Sequence, residues 1–259
     1  MKIVFFTNFR SELSLPVLAA IVESDILNLN HIIFYKNISL FEKSILKKIK
    51  FYGLLRAFVK IIQIIDIKMD LFFLKIFHVN IHRQIRSCYE YAIKKKLPFS
   101  IIRDVNCANN LDLLKQIKAD IILVCWCGQI LSKNLFEIAN KGSINIHPSL
   151  LPRHRGPDPA FWTLFYGDKK SGCTFHIINE KIDDGKILAQ FEVDINKISS
   201  KRKLYEKIFS LAAKNVGKVL NDYWYDRIIP QEQKILRATY EGFPSLQETK
   251  NFLAMGYKD

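Results

Sequence analysis

The sequence has few features that would place it among secreted, metal-binding or membrane-spanning proteins. Its five cysteines are an odd number without the spacing of a disulfide framework, and Cys125-x-Cys127 has no second Cys/His pair at finger-like spacing. We therefore expect buried thiols and a reducing compartment. The apolar run from Met1 to Phe6 is too short for a signal peptide, and no uncharged apolar run approaches a membrane span. These absences predict a cytoplasmic protein, either freely soluble or peripheral to the membrane.

Glycine is missing at the turn where many nucleotide-binding proteins need it. A first strand is predicted over residues 2–6 and a helix over 13–22, yet the turn from Thr7 to Ser11 contains no glycine. A dinucleotide-binding fold would show G-x-G-x-x-G here, and a phosphate-binding fold would show a glycine-rich loop. The sequence therefore excludes both of these loops at the first turn.

Acidic residues are scarce in one segment, and this makes the whole chain basic. The chain has 39 Lys and Arg against 25 Asp and Glu, and residues 43–96 alone hold 13 basic and three acidic residues, a net charge of +10. Apolar stretches interspersed with these charges predict a basic helical insertion over about 38–96. Three interpretations stay open: a solvated layer or homodimer face, a surface for an anionic membrane, and a face that binds RNA.

The rest of the chain alternates short apolar runs with helical patterns, as α/β proteins do. Strands are predicted at 31–35, 98–102, 120–124, 142–146, 173–177 and 187–193, and helices at 108–117, 159–166, 204–225 and 246–254. The apolar run from Ile121 to Val124 ends at a polar loop, as a buried strand does. Ligands bind outside the carboxyl ends of such strands in open α/β sheets. We therefore expect a polar site where these strands end.

Asn145, His147 and Asp183 are the polar side chains expected in that crevice. Asn145 and His147 are two residues apart on an extended segment, so they point the same way. An amide donor stabilises a developing oxyanion and an imidazole transfers protons, which together suit acyl transfer. The carboxylate of Asp183 near the imidazole would raise its pKa. Taken alone, His147 has the alternative of capping a strand, and Asp183 that of starting a turn.

The motifs around these residues resemble those of one known family. They are N-x-H-x-S-L-L-P at 145–152, R-G at 155–156, G-x-T-x-H at 172–176 and I-D-D-G-K-I at 182–187. In this order they are similar to the folate-dependent formyltransferases, which include glycinamide ribonucleotide, methionyl-tRNA and sugar N-formyltransferases. The resemblance is continuous over about residues 121–193. It implies a Rossmann-like α/β fold, with a twisted, mostly parallel sheet and helices on both faces.

The resemblance also implies roles for individual residues. Asn145, His147 and Asp183 match the catalytic residues of the family, and Gly185 fixes the register that selects Asp183 over Asp184. The implied co-substrate is N10-formyltetrahydrofolate, and no metal is expected. Contacts with this folate are expected at Gln129, Leu131, Phe136, Ser149 and His176.

The formyl acceptor expected from the resemblance is a small-molecule primary amine, most simply an amino sugar carried on a nucleotide. Purine-pathway members have a glycine-containing phosphate loop at the first turn, so its absence argues against glycinamide ribonucleotide. The residues after 194 do not predict the β-barrel domain with which methionyl-tRNA formyltransferases help to bind tRNA. Methionyl-tRNA, another small amine and formyl-folate hydrolysis stay open. So does an RNA- or membrane-binding protein with a vestigial site.

The predicted organisation is a formyltransferase catalytic domain over 1–230, with the insertion at about 38–96, and a C-terminal tail over 231–259. The tail is expected to contain a short helix capped by Ser245, and no function is predicted for it. Within the catalytic domain, the segment 148–159 is rich in proline and glycine and predicts a shaped loop. Its charged residues either contact an anionic acceptor or are solvated; they are Arg153, His154 and Arg155.

Overall fold

The computed structural model describes residues 1–36 and 85–258, and the strands within these ranges form one seven-stranded sheet. In chain order the strands are β1 (Lys2–Asn8), β2 (Asn28–Tyr35), β3 (Phe99–Ile102), β4 (Ile121–Cys125), β5 (Ser143–His147), β6 (Lys170–Ile177) and β7 (Ile187–Asp194). The helices of these ranges are α1 (Leu15–Val22), α2 (Cys88–Lys94), α3 (Ala108–Ile117), α4 (Lys133–Phe136), α5 (Pro159–Phe165), α6 (Lys201–Trp224) and α7 (Leu246–Ala254), and a 3-10 turn covers Ile235–Arg237.

The sheet is parallel over five strands, in the order β3-β2-β1-β4-β5, and continues with β6 and β7, which are antiparallel to their neighbours. Parallel neighbours bring their carboxyl ends to the same edge of a sheet. Asn8 at the end of β1, Cys125 at the end of β4 and His147 at the end of β5 therefore meet at one crevice. The mostly parallel α/β sheet predicted from the sequence is confirmed.

Alternate residues of the central strands pack against helices on opposite faces of the sheet. Val4 and Phe6 of β1 lie in a buried cluster with Leu114 of α3. Ile3 and Phe5, which point the other way, are fully buried as well. Among the helices, α1 packs against α6, and α6 also contacts β6 and β7. Burial of both faces explains why the central strands are continuous apolar runs.

Most predicted elements begin and end within three residues of the observed ones. The helices Ala108–Ile117 and Leu246–Ala254 match at both ends, and Ser245 caps the second through a capping box with Glu248. The short helix α4 was not predicted. The predicted insertion at 38–96 lies mostly outside the described residues, and its last part contains α2. A membrane, RNA or homodimer face on that segment stays a prediction.

The described ranges lack both a helix able to span a membrane and a cluster of metal ligands. Across residues 1–36 and 85–258, no helix combines the length and the apolar composition that crossing a membrane would require. In the same part of the chain, no group of three or more His, Cys, Asp or Glu side chains is placed to hold a metal ion. All five cysteines are free thiols.

Candidate active site

The carboxyl-terminal half of β5 carries the first two predicted catalytic side chains. β5 pairs with β4 on one side and with β6 on the other, so sheet register fixes both positions. Asn145 lies opposite His176 of β6, and His147 lies opposite Thr174. Strand alternation points Asn145 and His147 to the same face, as predicted from their spacing.

The imidazole of His147 is buried and held in one tautomer. Only 4% of the residue is exposed, and Nε2 donates a hydrogen bond to the carbonyl oxygen of His154 at 2.8 Å. A neutral imidazole with its proton on Nε2 has its lone pair on Nδ1. Nδ1 lies 3.5 Å from Oδ2 of Asp183. His147 therefore presents an unprotonated nitrogen to the predicted catalytic carboxylate.

Asp183 reaches this pair from the loop between β6 and β7. Its Oδ2 accepts a hydrogen bond from the Gly156 amide at 2.8 Å, and its backbone is left-handed, with a φ of +49°. Gly185 allows the loop to approach β6 closely, because a Cβ atom there would lie 1.7 Å from the carbonyl oxygen of Ile177. The glycine that set the register of the motif therefore also sets the position of the loop.

Asn145 and His176 complete the polar group. Nδ1 of His176 donates to the carbonyl oxygen of Ile177 at 3.0 Å, which leaves Nε2 as an acceptor. The Asn145 amide nitrogen donates to this Nε2 at 3.2 Å and to Oδ1 of Asp183 at 3.4 Å. Both bonds are long for N–H donors. The Asn145 amide is therefore only weakly bonded, and it could donate instead to a negatively charged oxygen of a bound ligand.

The pKa values of the imidazole and the carboxylate move in the same direction for different reasons. Burial lowers the pKa of His147, and this outweighs the nearby charge of Asp183, which raises it. Burial alone would raise the pKa of Asp183, but His147, His176 and the Gly156 amide together hold it well below its usual range. The site therefore holds a neutral imidazole beside an ionised carboxylate at neutral pH. The expected upward effect of Asp183 on the imidazole is present, but burial exceeds it.

A cleft of about 580 Å³ lies at the start of β5 and the end of β6. Ser143 and Asp184 line it; Ser143 lies two residues before Asn145 on β5, and Asp184 follows Asp183. Its other lining residues are Phe136, Glu137, Gly142, Ile177, Ile178, Asn179, Glu180 and Lys181. Ligand pockets in proteins have volumes of roughly 300 to 1,000 Å³. The cleft is therefore large enough for a small organic ligand.

The five predicted folate contacts lie in different surroundings. Phe136 lines the cleft, and His176 belongs to the polar group. Leu131 is 7% exposed and packs in the same buried cluster as Phe136. The amide of Gln129 bonds to the segment just before α3, and the Ser149 hydroxyl donates to a backbone carbonyl of its own loop at 2.8 Å. Gln129 and Ser149 thus already have protein partners, and all five remain predicted contacts.

The basic side chains of the loop after β5 pair with acidic side chains of the protein. Arg153 and His154 both bond to the carboxylate of Asp168, at 2.7 Å each. Nη1 of Arg155 lies 2.5 Å from Oδ1 of Asp184. His154 is only 3% exposed, so a solvated loop does not describe it. The charges of this loop therefore hold the loop against the protein. The solvated interpretation still describes Arg153, whose side chain is 48% exposed, and contact with an acceptor stays a prediction.

Sequence reasoning missed the groups that hold the predicted catalytic side chains. The His154 carbonyl orients His147, and the Gly156 amide binds Asp183, but backbone atoms leave no trace in a side-chain pattern. Gln233 of the tail donates to two carbonyls of the Asp183 loop. It is 50 residues away from Asp183 in a segment without periodicity, so no local signal indicated it.

Comparisons with known proteins agree with this geometry. The profile of a family described as "Formyl transferase" matches residues 88–220, just over half of the chain. The bifunctional polymyxin resistance protein ArnA of Wigglesworthia glossinidia brevipalpis is 36% identical over 122 residues, which are 47% of this chain and 19% of that protein. Methionyl-tRNA formyltransferase of Clostridium acetobutylicum is 33% identical over 147 residues, 56% of this chain and 47% of that protein. The chain thus spans less than half the length of either relative.

A solved structure shares the fold over nearly the whole chain. It is the N-formyltransferase of Helicobacter canadensis in complex with folinic acid and dTDP-3-aminofucose, with a TM-score of 0.58. The alignment covers 93% of this chain and 70% of that one, at 17% sequence identity. At this level of identity the likeness concerns the fold.

Proposed function

This chain belongs to the formyl transferase family, and from that premise we propose that it transfers a formyl group from N10-formyltetrahydrofolate to a primary amine. One observation carries the proposal: the three side chains of the family motif, which lie up to 38 residues apart in the chain, converge on one another. Asn145 Nδ2 lies 3.4 Å from Oδ1 of Asp183, and His147 Nδ1 lies 3.5 Å from its Oδ2. An amide donor, a base and a carboxylate at these distances are what acyl transfer to an amine requires.

We propose that the folate binds in the cleft lined by Phe136, Ile178 and Asp184. Phe136 and Ile178 give it apolar walls suited to a flat ring, and Asp184 is the neighbour of Asp183. When bound, the folate supplies an activated formyl group: its C–N10 bond breaks as the carbon bonds to the amine, and N10 takes up a proton. Gln129, Leu131, Ser149 and His176 are the further contacts expected from the family motif.

The three catalytic residues have separate tasks. The amide of Asn145 donates to the formyl oxygen, whose negative charge grows as the amine attacks, and so lowers the barrier. Nδ1 of His147 accepts the proton that the amine loses and returns it to the departing nitrogen. The carboxylate of Asp183 stabilises the imidazolium formed between these steps. Binding both reactants in one cleft removes much of the entropic barrier.

We propose a nucleotide-linked amino sugar as the acceptor. The Helicobacter canadensis enzyme with this fold was crystallised with such a molecule, dTDP-3-aminofucose. In this chain, Arg10 lies two residues beyond the end of β1, and its Nε is buried without a hydrogen-bond partner among the described residues. An unpaired guanidinium nitrogen near the catalytic edge of the sheet suits the diphosphate of a nucleotide sugar.

Methionyl-tRNA is the second candidate acceptor. Curated relatives that are 29% to 36% identical to the matched parts of this chain are methionyl-tRNA formyltransferases. The net charge of +10 over residues 43–96 would favour a polyanionic acceptor such as tRNA. These two observations concern relatives and sequence, whereas the Arg10 Nε, which has no hydrogen-bond partner among the described residues, favours the smaller acceptor.

A product assay tests the proposal and separates the acceptors. The protein is incubated with N10-formyltetrahydrofolate and either a panel of nucleotide-linked amino sugars or methionyl-tRNA, and products are identified by mass. A formylated sugar supports the first acceptor, and formylmethionyl-tRNA supports the second. Release of tetrahydrofolate and formate at the same rate with and without every acceptor would overturn transfer in favour of hydrolysis. The control is Asn145→Ala, which should form product at least about a hundredfold more slowly.

A further inference from the structure

The segment 231–241 of the C-terminal tail runs beside the two loops that meet at Asp183. The backbones of Gln231 and Ile187 exchange two hydrogen bonds of 2.8 Å at the start of β7. The backbone of Arg155 donates to Thr239 at 3.0 Å and accepts from Glu241 at 3.1 Å. The tail, for which the sequence predicted no function, therefore borders the catalytic crevice.

Gln233 is the tail residue that reaches the catalytic loop. It is 7% exposed, and its Nε2 donates to the carbonyl oxygens of Asp183 at 2.9 Å and Gly185 at 2.8 Å. Its Oε1 accepts from Nε and Nη2 of Arg155 at 3.2 and 2.6 Å. Both amide hydrogens and both oxygen lone pairs are thus used. Two acceptors on one side and two donors on the other also fix the orientation of the amide.

Gln233 bonds to a loop whose backbone is left-handed at Asp183. Its φ is +49°, a conformation uncommon for residues with a side chain, although aspartate adopts it more readily than most. Two residues later, Gly185 passes within contact of the Ile177 carbonyl. Gln233 binds the loop carbonyls at both of these positions. It therefore constrains the loop that aims the carboxylate at His147.

Arg155 links the same amide to Asp184, the neighbour of Asp183 in the loop. Its Nη1 lies 2.5 Å from Oδ1 of Asp184, while its other nitrogens bond to Gln233. A glutamate in place of Gln233 would keep the acceptor for Arg155 but would set negative oxygens against the two loop carbonyls. Only an amide of this length can donate to the loop and accept from the arginine.

We propose that Gln233 is a positioning residue, which holds the Asp183 loop so that the carboxylate stays beside Nδ1 of His147. The inference rests on the proposed formyl transfer, because it gives the tail a role in that reaction. Gln233 touches neither reacting group itself. Its loss should therefore change the rate of the chemical step and leave the binding of the formyl donor nearly unchanged.

The first test compares Gln233→Leu with Gln231→Leu in formyl transfer. Displacing a catalytic group by about 1 Å costs on the order of a hundredfold, so we expect Gln233→Leu to lower kcat by about ten- to a hundredfold. The KM for formyl-folate should change by less than about threefold. Gln231 has the same side chain two residues away, but it is exposed, and among the described residues this side chain donates to the Ile229 carbonyl alone. Gln231→Leu should keep kcat within about twofold. Equal effects of the two substitutions would overturn the proposal.

The second test asks whether Gln233 acts through Asp183. Residues that act as one unit have effects that do not multiply. In an Asp183→Asn background, Gln233→Leu should therefore lower kcat by less than about threefold. A loss as large as in the wild-type background would show that Gln233 acts by another route. Gln233→Glu should behave like Gln233→Leu, and wild-type activity in Gln233→Glu would also contradict the proposal.

A readout without turnover separates this proposal from the proposed function. The His147 imidazole is titrated by NMR in the wild-type protein, Gln233→Leu and Gln233→Glu, and its signal is assigned with His147→Gln. Withdrawal of the carboxylate should move the His147 titration to lower pH in both variants. An unchanged titration, or loss of cooperative unfolding in both variants, would overturn the positioning role. A shifted titration in a protein that transfers no formyl group would instead overturn the proposed function alone.

Discussion

The two halves of the proposed catalytic group, β5 and the Asp183 loop, are held by different kinds of structure. Asn145 and His147 sit on β5, which is paired on both sides, so their positions follow from the register of the sheet. Asp183 stands on a loop in a left-handed conformation, held by the Gly156 amide and by Gln233. The strand half is thus set by a regular pattern, and the loop half by contacts between segments far apart in the chain.

This difference predicts two kinds of mutational effect. Changes in the strand half should remove a chemical group and leave the fold intact, because the sheet does not depend on those side chains. Changes in the loop half should move a group that is still present, and so alter geometry, pH dependence and stability together. The substitutions below test that contrast in order of expected effect.

Removal of the strand-borne amide should have the largest effect. Asn145→Ala deletes the donor for the developing oxyanion, and loss of such a donor typically lowers kcat by about a hundredfold or more. Its hydrogen bonds in the resting protein are long, so unfolding free energy should fall by less than about 1.5 kcal/mol. Steady-state kinetics and thermal unfolding measure both quantities. Near-normal turnover in this variant would show that the strand half is not catalytic.

A methyl group at Gly185, where the Asp183 loop packs against β6, should lower both activity and stability. Gly185→Ala places a Cβ atom 1.7 Å from the Ile177 carbonyl oxygen, so the loop must shift. We expect unfolding free energy to fall by about 1 to 3 kcal/mol and kcat to fall at least about tenfold. Gly242→Ala is the matched control, because a Cβ atom there meets nothing within 4 Å. If the two substitutions have the same effect, the loop is less constrained than its contacts indicate.

The pH dependence of kcat should report the coupling between the two halves. The reaction needs the neutral imidazole, and burial lowers the pKa of His147, so kcat should decline only below pH 6.5. The carboxylate of Asp183 opposes that lowering. Asp183→Asn should therefore shift the acidic limb of the kcat profile to lower pH, as well as reduce its plateau. A limb that moved to higher pH would contradict the proposed interaction.

Ser149→Ala should have the smallest effect, and on stability more than on binding. The Ser149 hydroxyl is buried and donates to the Arg153 carbonyl at 2.8 Å, which braces the loop after β5. Loss of such a hydrogen bond costs about 1 kcal/mol of unfolding free energy. The KM for formyl-folate should stay within about twofold. A large rise in KM without loss of stability would instead support the folate contact predicted from the sequence.

Local signals explain which parts of the fold were predictable. The start of the helix Leu246–Ala254 was predictable because Ser245, its cap, adjoins its first residue, and the structure adds a capping box with Glu248 within the same turn. β6 begins at Lys170, three residues before its predicted start, because pairing with Asp194 of β7 extends it. That partner lies far along the chain and leaves no mark on the residues of β6 themselves.

The same distinction applies to the site. Asn145 and His147 were predictable because their spacing on an extended strand fixes their direction, and Asp183 because Gly185 marks its motif. The hydrogen-bond partners of these residues were not predictable. They are a backbone carbonyl, a backbone amide and Gln233, and each depends on a chain path that only the folded protein defines.

A structure of the protein with 5-formyltetrahydrofolate, a stable analogue of the formyl donor, would test the central claim most directly. We predict that the pteridine occupies the cleft between Phe136 and Ile178, with the folate's N10 directed towards Asn145 and His147. A donor placed for catalysis lies about 2.7 to 3.1 Å from the oxygen that it stabilises. A formyl group built on N10 of the bound folate should therefore place its oxygen at that distance from the Asn145 amide nitrogen. A pteridine bound elsewhere, or an N10 directed away from His147 and Asp183, would contradict the account.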